Sequence, residues 1–291
     1  MADLEPRLLA WAESFLGTAV VAVRGLVKGG SPWLLDGDGR SGVMRVGKAD
    51  ELSWMRVETA ALGLAAANGI VVPRVIAVDL DGDPPVLLVT AMPGSSTIPR
   101  TIPTMRLRTL GAVSAVLHQV VVPPDLGLPR REHAIGAIDF DQLRREAPPR
   151  ELLMRAERAR DTFRPDNVEG FVHGDLWQGN SMWNGDTLTA LIDWEGAGIG
   201  PAGVDLGSLR LDAAMCFGAA AAADDVLAGW EAGAGRRADN VAYWDVVAAL
   251  STPPDVCWFA GTMSAQGRPD LTRELLERRR DAFLAAALDQ L

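Results

Sequence analysis

The feature that most constrains the fold of this chain is a change of hydrophobic pattern near residues 90–95. Before that point, short runs of β-forming residues alternate with turn signals such as Asp36-Gly37-Asp38-Gly39. After it, apolar residues recur at helical spacing, as they do over 107–117. We therefore predict an α+β chain with a strand-rich part over residues 1–91 and a larger, mainly helical part over residues 92–291.

The strand-rich part carries signals for two tandem hairpins, one helix and two further strands. The hairpins are predicted over 20–46, where valine-rich runs are separated by Gly, Pro and Asp. A helix is expected over 50–67, because acidic residues begin it and Asn68-Gly69 ends it. With strands over 75–78 and 86–89, this pattern indicates a small antiparallel sheet that carries one helix.

One hairpin is predicted inside the helical part. The pair Asn184-Gly185 lies between strand-forming residues, which is the strongest short hairpin signal, so residues 181–194 should pair with each other. Asn180 and Asp193 would then emerge at the same open end. The segment His173-Gly174-Asp175 lies just upstream, directly after a short apolar run.

The chemistry of the chain is indicated by a set of polar residues at fixed spacing. The stretch 173–180 reads H-x-D-x-x-x-x-N, and Asp193 follows Asn180 by 13 positions. Phosphoryl transfer uses these residue types: one carboxylate orients or deprotonates the attacking hydroxyl, and an amide oxygen with a second carboxylate holds Mg²⁺. Any one of them alone would indicate a turn or a hairpin start. Together they predict a kinase active site.

These residues resemble the motifs of the aminoglycoside phosphotransferase and choline kinase family, whose fold is similar to that of protein kinases. The resemblance rests on His-Gly-Asp-Leu-Trp-Gln-Gly-Asn from residue 173 and Ile-Asp-Trp-Glu from residue 192. Segments 56–58, 69–75 and 205–207 extend it. It implies a two-lobed protein-kinase-like fold, with lobes 1–91 and 92–291, and transfer of the γ-phosphoryl group of ATP, or of GTP, to a hydroxyl of a small molecule.

The resemblance also implies a role for each motif residue. Asp175 would be the catalytic base or the group that orients the hydroxyl, and His173 would brace the catalytic loop. Asn180 and Asp193 would be the ligands of Mg²⁺. Asp205 would tether the catalytic loop through backbone N–H groups.

Two further segments match the nucleotide-binding parts of the family. Gly29, Gly30 and Ser31 match its shortened phosphate loop, although the residues alone are equally typical of a plain hairpin turn. Thr90 and Met92 match the hinge, where backbone C=O and N–H groups hold the edge of the adenine.

A buried carboxylate in the predicted helix provides a test that is independent of the resemblance. Glu58 has apolar residues at its helical neighbour positions, so it should face inward and need a cation. Arg45, in the nearest strand, occupies the place where kinases keep a phosphate-binding lysine. Lys48 is the alternative cation, and an edge helix with Glu58 in solvent is the alternative to burial.

The composition of the chain indicates which classes of partner and which cellular compartment to expect. A net charge of -10 argues against a nucleic-acid partner. The uncharged run 213–223 is too short to span a bilayer, and the acidic start of the chain does not resemble a signal peptide. With no CxxC among two cysteines, the default expectation is a cytoplasmic enzyme without a disulfide framework or a zinc site.

Alternatives to a small-molecule kinase remain at this point. One is a catalytically silent nucleotide-binding regulatory protein of the same fold, and another is a metal-dependent hydrolase that uses His173, Asp175 and Asp193 as ligands. For the kinase, one hypothesis is that the acceptor bears an amino group, and the alternative is that the acidic side chains form a solvated surface that only keeps the protein in solution. Residues 92–291 hold 27 acidic and 20 basic side chains, an excess of seven negative charges that would attract a cation.

Overall fold

The β-branched runs of the first ninety residues form one antiparallel sheet in the computed structural model, which describes residues 4–27, 30–163, 165 and 168–291. A helix that the sequence analysis did not predict, α1 (Pro6–Leu16), precedes the sheet. The strands are β1 (Val20–Val27), β2 (Gly30–Gly37), β3 (Ser41–Val46), β4 (Val75–Asp79) and β5 (Val86–Thr90). Their order is β1-β2-β3-β5-β4, with both predicted hairpins at one end.

The sheet is covered on both faces because side chains alternate along its strands. On one face, Met44 and Leu88 pack with Leu35 and with α1. On the other face, Leu87 and Val89 join the core that includes α2 (Leu52–Ala67), the predicted helix between β3 and β4. The sheet therefore holds α2 on the side that faces the rest of the chain.

The remainder of the chain is mainly helical, as its spacing predicts. The helices are α3 (Thr104–Leu117), α4 (Phe140–Glu146), α5 (Glu151–Thr162), α6 (Gly203–Phe217), α7 (Ala220–Ala234), α8 (Val241–Leu250), α9 (Phe259–Ala265) and α10 (Arg273–Leu288). Two ribbons lie among them, one of β6 (Glu169–Val172) with β9 (Gly198–Pro201) and one of β7 (Ser181–Asn184) with β8 (Thr187–Leu191). None of the described helices combines the length and the apolar character that a membrane crossing requires.

One hydrophobic core connects the sheet with the helical part. Met55 and Leu62 of α2 belong to the same buried cluster as Phe171 of β6 and Trp194, which follows β8. Trp194 and Phe171 are fully buried, and their rings stack with centroids 5.6 Å apart. The packing of α2 against the segment after β8 brings the two parts together at the candidate site.

Candidate active site

The β7–β8 ribbon places two polar residues side by side. It turns at Asn184-Gly185, where Gly185 has a φ of 57°, and Ser181 pairs with Leu191 at its open end. The Ile192 N–H extends the pairing by donating to the Asn180 carbonyl at 2.9 Å. Asn180 and Asp193 therefore emerge together, as the hairpin signal predicts.

Asp175 lies beside Asn180 at the end of the loop that follows β6. The Asn180 Nδ2 group donates to the Asp175 carbonyl at 2.9 Å and to its carboxylate at 3.1 Å. Burial and the nearby charge of Asp193 raise the pKa of Asp175 well above its usual value, against the opposing effect of the Asn180 hydrogen bond. A carboxyl whose pKa is raised in this way is a stronger base once ionised.

The loop that carries Asp175 is held in place by hydrogen bonds to Asp205, which lies in the first turn of α6. The two carboxylate oxygens of Asp205 accept the N–H groups of His173 and Gly174, each at 2.8 Å. Gly174 has a φ of 76°, and a Cβ there would lie 1.9 Å from the Gly196 carbonyl oxygen. A glycine is thus required, because the loop turns sharply against the segment after β8.

A neutral histidine extends this tether. His118, which follows α3, contacts an Asp205 oxygen through Nε2 at 3.1 Å and accepts the Trp230 indole N–H at Nδ1. Since Nδ1 is the acceptor, the ring proton lies on Nε2 and is donated to Asp205. Burial would raise the pKa of Asp205, but the hydrogen bond from His118 and the backbone N–H groups outweigh it and hold the pKa below its usual value. The sequence analysis missed Trp230, which no motif identifies.

His173 lies under the loop and not in the cleft. It is fully buried, its Nε2 is 3.0 Å from the Ile192 carbonyl, and its ring contacts Trp194 at 4.5 Å between centroids. Burial lowers the pKa of His173, so the ring is neutral. This placement suits a residue that positions the loop and does not touch a substrate.

Arg45 joins the sheet to the segment that follows β8. Its Nε lies 3.2 Å from a Glu58 carboxylate oxygen, its Nη2 donates to Asp193 at 2.9 Å, and its Nη1 donates to Glu195. Glu58 is only 7% exposed, so the edge-helix alternative does not apply. Lys48 is exposed, and Arg45 is the cation that meets Glu58. Sequence reasoning missed Glu195, which adds a third carboxylate to this group.

The three carboxylates around Arg45 leave an excess of negative charge. Burial raises the pKa of Glu58 to about 7, with Asp193 and Glu195 adding to the effect and Arg45 opposing it. Burial and Asp193 likewise raise the pKa of Glu195. For Arg45, burial opposes the charge, yet the carboxylates raise its pKa above the usual value. This crowding of acids favours a further cation.

The residues matched to the phosphate loop lie at the β1–β2 turn and are only partly described. Gly29 lies outside the described residues. Gly30 has a φ of 117°, and the Trp33 ring packs where its Cβ would be. The Ser31 hydroxyl donates to the Val46 carbonyl at 3.1 Å and accepts the Val46 N–H at 2.9 Å. That hydroxyl is therefore held by β3.

The predicted hinge has one available donor. The Thr90 N–H donates to the Arg74 carbonyl at 2.9 Å, and the Thr90 hydroxyl accepts the Arg74 N–H. Among the described residues, no group accepts the Met92 N–H. Of the N–H groups of Thr90 and Met92, that of Met92 is thus the one left for an adenine edge.

A cavity of about 280 Å³ opens beside Asp175, Asn180 and Asp193. Its wall is mostly apolar and aromatic, with side chains from Trp177, Leu211, Met215, Trp258, Phe259 and Met263. Asp212 adds one buried carboxylate, whose pKa is raised by burial against two hydrogen bonds from Gln178. No described Lys, Arg or His lines this cavity, so its charged groups are all acidic.

The oxygen atoms near Asp193 suit a magnesium ion. The amide nitrogen of Asn180 is used by Asp175, which leaves its Oδ1 as an acceptor, and Asp193 has one oxygen beyond the one that Arg45 contacts. Such hard oxygen ligands are those that Mg²⁺ prefers. The described residues contain no group of three His, Cys, Asp or Glu side chains that could hold a metal, which the hydrolase alternative requires.

Solved structures share this fold. They include the macrolide 2'-phosphotransferase MphH from Brachybacterium faecium, with 19% identity, a TM-score of 0.67 and coverage of 94% of this chain and 98% of that one. The spectinomycin phosphotransferase APH(9)-Ia, in complex with ADP and spectinomycin, has 13% identity, a TM-score of 0.66 and full coverage of both chains. Choline kinase LicA from Streptococcus pneumoniae has 14% identity, a TM-score of 0.62 and coverage of 98% and 99%. The predicted fold class is confirmed.

A family comparison gives the same answer at the level of sequence. No curated protein matches the chain. Residues 23–249, however, match the model of the phosphotransferase enzyme family, and this match begins within β1 and covers the rest of the sheet, the Asp175 loop and the ribbon before Asp193. The chain belongs to the phosphotransferase enzyme family, and the enzyme class that its motifs predict is confirmed.

Proposed function

We propose that this protein transfers the γ-phosphoryl group of ATP, or of GTP, to a hydroxyl of a small acceptor that has an apolar body and a basic amine. The observation that carries the proposal is the meeting of Asp175, Asn180 and Asp193 on one cavity, with Arg45 bridging from the sheet to Asp193. A base, two oxygen ligands and a phosphate-binding cation are the parts that phosphoryl transfer requires.

The chain's own residues perform distinct steps in this reaction. Asp175 accepts the proton of the acceptor hydroxyl while the oxygen of that hydroxyl bonds to the γ-phosphorus. The bond between the γ-phosphorus and the β,γ-bridging oxygen breaks, and ADP is released. Arg45, braced by Glu58, orients the phosphates from the sheet side of the cleft. Asn180 and Asp193 would hold Mg²⁺, which when bound supplies positive charge to the phosphates.

Residues 1–91 would hold the nucleotide, and residues 92–291 would supply the catalytic loop and the acceptor pocket. The Met92 N–H, which is free of protein partners among the described residues, is the donor that we assign to the adenine edge. Gly30 and Ser31 begin β2 on the side that we assign to the phosphates, and the Ser31 hydroxyl holds the start of β2 to β3.

The acceptor class follows from the wall of the 280 Å³ cavity. Six apolar or aromatic side chains suit an apolar body, and Asp212, a carboxylate on a wall where no described residue is basic, suits a cation. Similar folds whose structures are solved act on a macrolide, on spectinomycin and on choline. Asp212 on the cavity wall thus supports the prediction, made from the net charge, that the acceptor bears an amine.

The rival function is a regulatory protein that binds nucleotide without turnover. Asp175 and its partners argue against it, because a protein that only binds nucleotide has no need to keep a carboxyl of raised pKa beside an acceptor-sized cavity. Mg²⁺-dependent phosphorylation of any acceptor would exclude the rival.

The test is a screen for acceptor-dependent release of ADP. The panel contains macrolides, aminoglycosides, spectinomycin and choline, each beside a matched alcohol that lacks the amine, with Asp175→Asn as the blank. Asp125→Asn is the matched control, because Asp125 is exposed and lies outside the cavity. Release above the blank by wild type and by the control supports the proposal. Equal release by wild type and the blank on every acceptor overturns it.

A further inference from the structure

Asp175 is reached by two cavities and not by one. The first is the acceptor cavity of about 280 Å³ described above. The second, of about 760 Å³, lies between the first turns of α2 and the segment 126–138, and its wall includes Glu195 and Gly196. Because the α2 residues Ser53, Trp54 and Arg56 on its rim are exposed, the second cavity is open to solvent. Among the described residues, only Asp175 and Ile135 line both cavities.

Ile135 has an unusual backbone for its residue type. Its φ is 54°, in the left-handed region, where a β-branched side chain is strained. Its N–H donates to the Gly174 carbonyl at 2.7 Å, directly before Asp175. Strain that is retained beside reacting groups indicates a function for the residue that bears it.

The segment that carries Ile135 is fixed on either side of the strained residue. Upstream, the Arg131 N–H donates to the Ile199 carbonyl at 2.8 Å, and the Arg131 side chain donates to the Gly196 carbonyl at 2.7 Å. Downstream, the Ile138 N–H donates to the Ile135 carbonyl at 3.0 Å and closes a turn. These bonds hold the Ile135 side chain at the boundary between the two cavities.

We infer that Ile135 is a specificity-determining residue that keeps water of the second cavity away from the reacting phosphoryl group, so that Asp175 activates the acceptor hydroxyl in preference to water. This inference rests on the proposed kinase function. An apolar side chain in this place offers no hydrogen bond to a water molecule, and it lines both the open cavity and the one that we assign to the acceptor.

The reaction that Ile135 suppresses is hydrolysis of the nucleotide. In that reaction a water oxygen bonds to the γ-phosphorus, the bond to the β,γ-bridging oxygen breaks, and Asp175 takes a proton from the water. The products are ADP and inorganic phosphate. Water competes with every acceptor hydroxyl for the γ-phosphoryl group. A kinase whose general base lines a cavity open to solvent therefore needs a barrier to water at that place.

The test compares acceptor-independent ATP hydrolysis with transfer in four proteins. Ile135→Gly removes the side chain and relieves the backbone strain, whereas Ile135→Leu keeps an apolar side chain of equal volume without the branched Cβ. Ile138→Ala is the matched control, because Ile138 lies in the same segment and lines the second cavity but not the first. Inorganic phosphate is measured without acceptor, and phosphorylated acceptor is measured with the best amine-bearing compound of the screen.

For Ile135→Gly we expect acceptor-independent hydrolysis to rise by about threefold or more, with the KM for ATP unchanged. Ile135→Leu and Ile138→Ala should stay within about twofold of wild type. The inference is overturned if Ile135→Gly leaves the ratio of hydrolysis to transfer at the wild-type value, or if Ile138→Ala raises it equally.

Two measurements separate this result from a failure of folding or of the proposed function. Ile135→Ala keeps a Cβ and a less mobile backbone, and its hydrolysis should fall between those of Ile135→Leu and Ile135→Gly if side-chain volume is responsible. Failure of the kinase proposal appears differently, as no Mg²⁺-dependent ADP release above the Asp175→Asn blank by wild type on any acceptor.

Discussion

The two sides of the candidate site are held together by different forces. On the side of the Asp175 loop, Asp205 accepts two backbone N–H groups and a neutral histidine, all buried. On the sheet side, Arg45 pairs with three carboxylates, two of which are partly exposed. Hydrogen bonds to backbone fix one geometry, whereas a shared guanidinium can exchange partners. The proposed base is therefore preorganised, and the proposed phosphate-binding side can rearrange around a nucleotide.

Removal of the base gives the largest expected effect and tests whether the rigid side performs the chemistry. Asp175→Asn should lower kcat by about 100-fold or more, in line with the contribution of a general base, and leave ATP affinity nearly unchanged. Steady-state kinetics and calorimetric titration with ATP measure the two effects. The Asp125→Asn control should retain wild-type values. More than half of the wild-type kcat in Asp175→Asn would contradict the assignment.

Loss of the tether should appear as lost stability. Asp205→Asn places an amide where two N–H donors and the His118 ring need an acceptor, so we expect the free energy of unfolding to fall by about 2 kcal/mol near pH 7. Urea unfolding at several pH values measures it.

The pH dependence of this loss has a definite sign. Because the pKa of Asp205 is lowered in the folded protein, its contribution is present above the unfolded-state pKa of about 3.9 and disappears as the pH falls through the folded-state value. Wild type and Asp205→Asn should therefore converge in acid. A difference that is the same at pH 7 and in acid would show that packing, and not the ionised carboxylate, holds the loop.

On the rearrangeable side, the expected effect is on nucleotide binding and not on folding. Asp193→Ala should weaken ATP binding in excess Mg²⁺ by about tenfold and remove its Mg²⁺ dependence, because one of two oxygen ligands is lost. Asp186→Ala, at the closed end of the same ribbon, is the matched control. An unchanged Mg²⁺ dependence in calorimetric titration would place the metal elsewhere.

The smallest expected effect concerns the acceptor. For an amine-bearing acceptor, kcat/KM should fall by a few fold between low and high ionic strength, because salt screens the attraction to the acidic cavity. A matched alcohol without the amine should show little change. If kcat/KM depends equally on salt for the two acceptors, or is higher for the neutral one, the proposal that the substrate bears a cationic group is wrong.

Local sequence signals predicted the parts of the site that depend on neighbours in the chain. The Asn184-Gly185 turn brought Asn180 and Asp193 together because hairpin register follows from the turn. The apolar neighbours of Glu58 predicted its burial because a helix repeats every 3.6 residues. Both predictions needed only a short stretch of sequence.

The features that were missed depend on contacts between distant segments. Glu195 meets Arg45 across 150 positions, and Trp230 meets His118 across 112. The positive φ of Ile135 accompanies its hydrogen bond to Gly174, and no local residue preference predicts it. Such pairings arise when elements pack in three dimensions, so a single sequence gives no periodic signal for them.

The shared core has a consequence for how the chain is made. Met55 and Leu62 are buried against Phe171 and Trp194, which the ribosome adds more than one hundred residues later. The apolar face of the sheet and α2 is therefore completed only when the Asp175 loop and the ribbon after it have been synthesised. For this chain, the order of synthesis and the order of burial differ, and the segment that carries the candidate site helps to complete the core of the part made first.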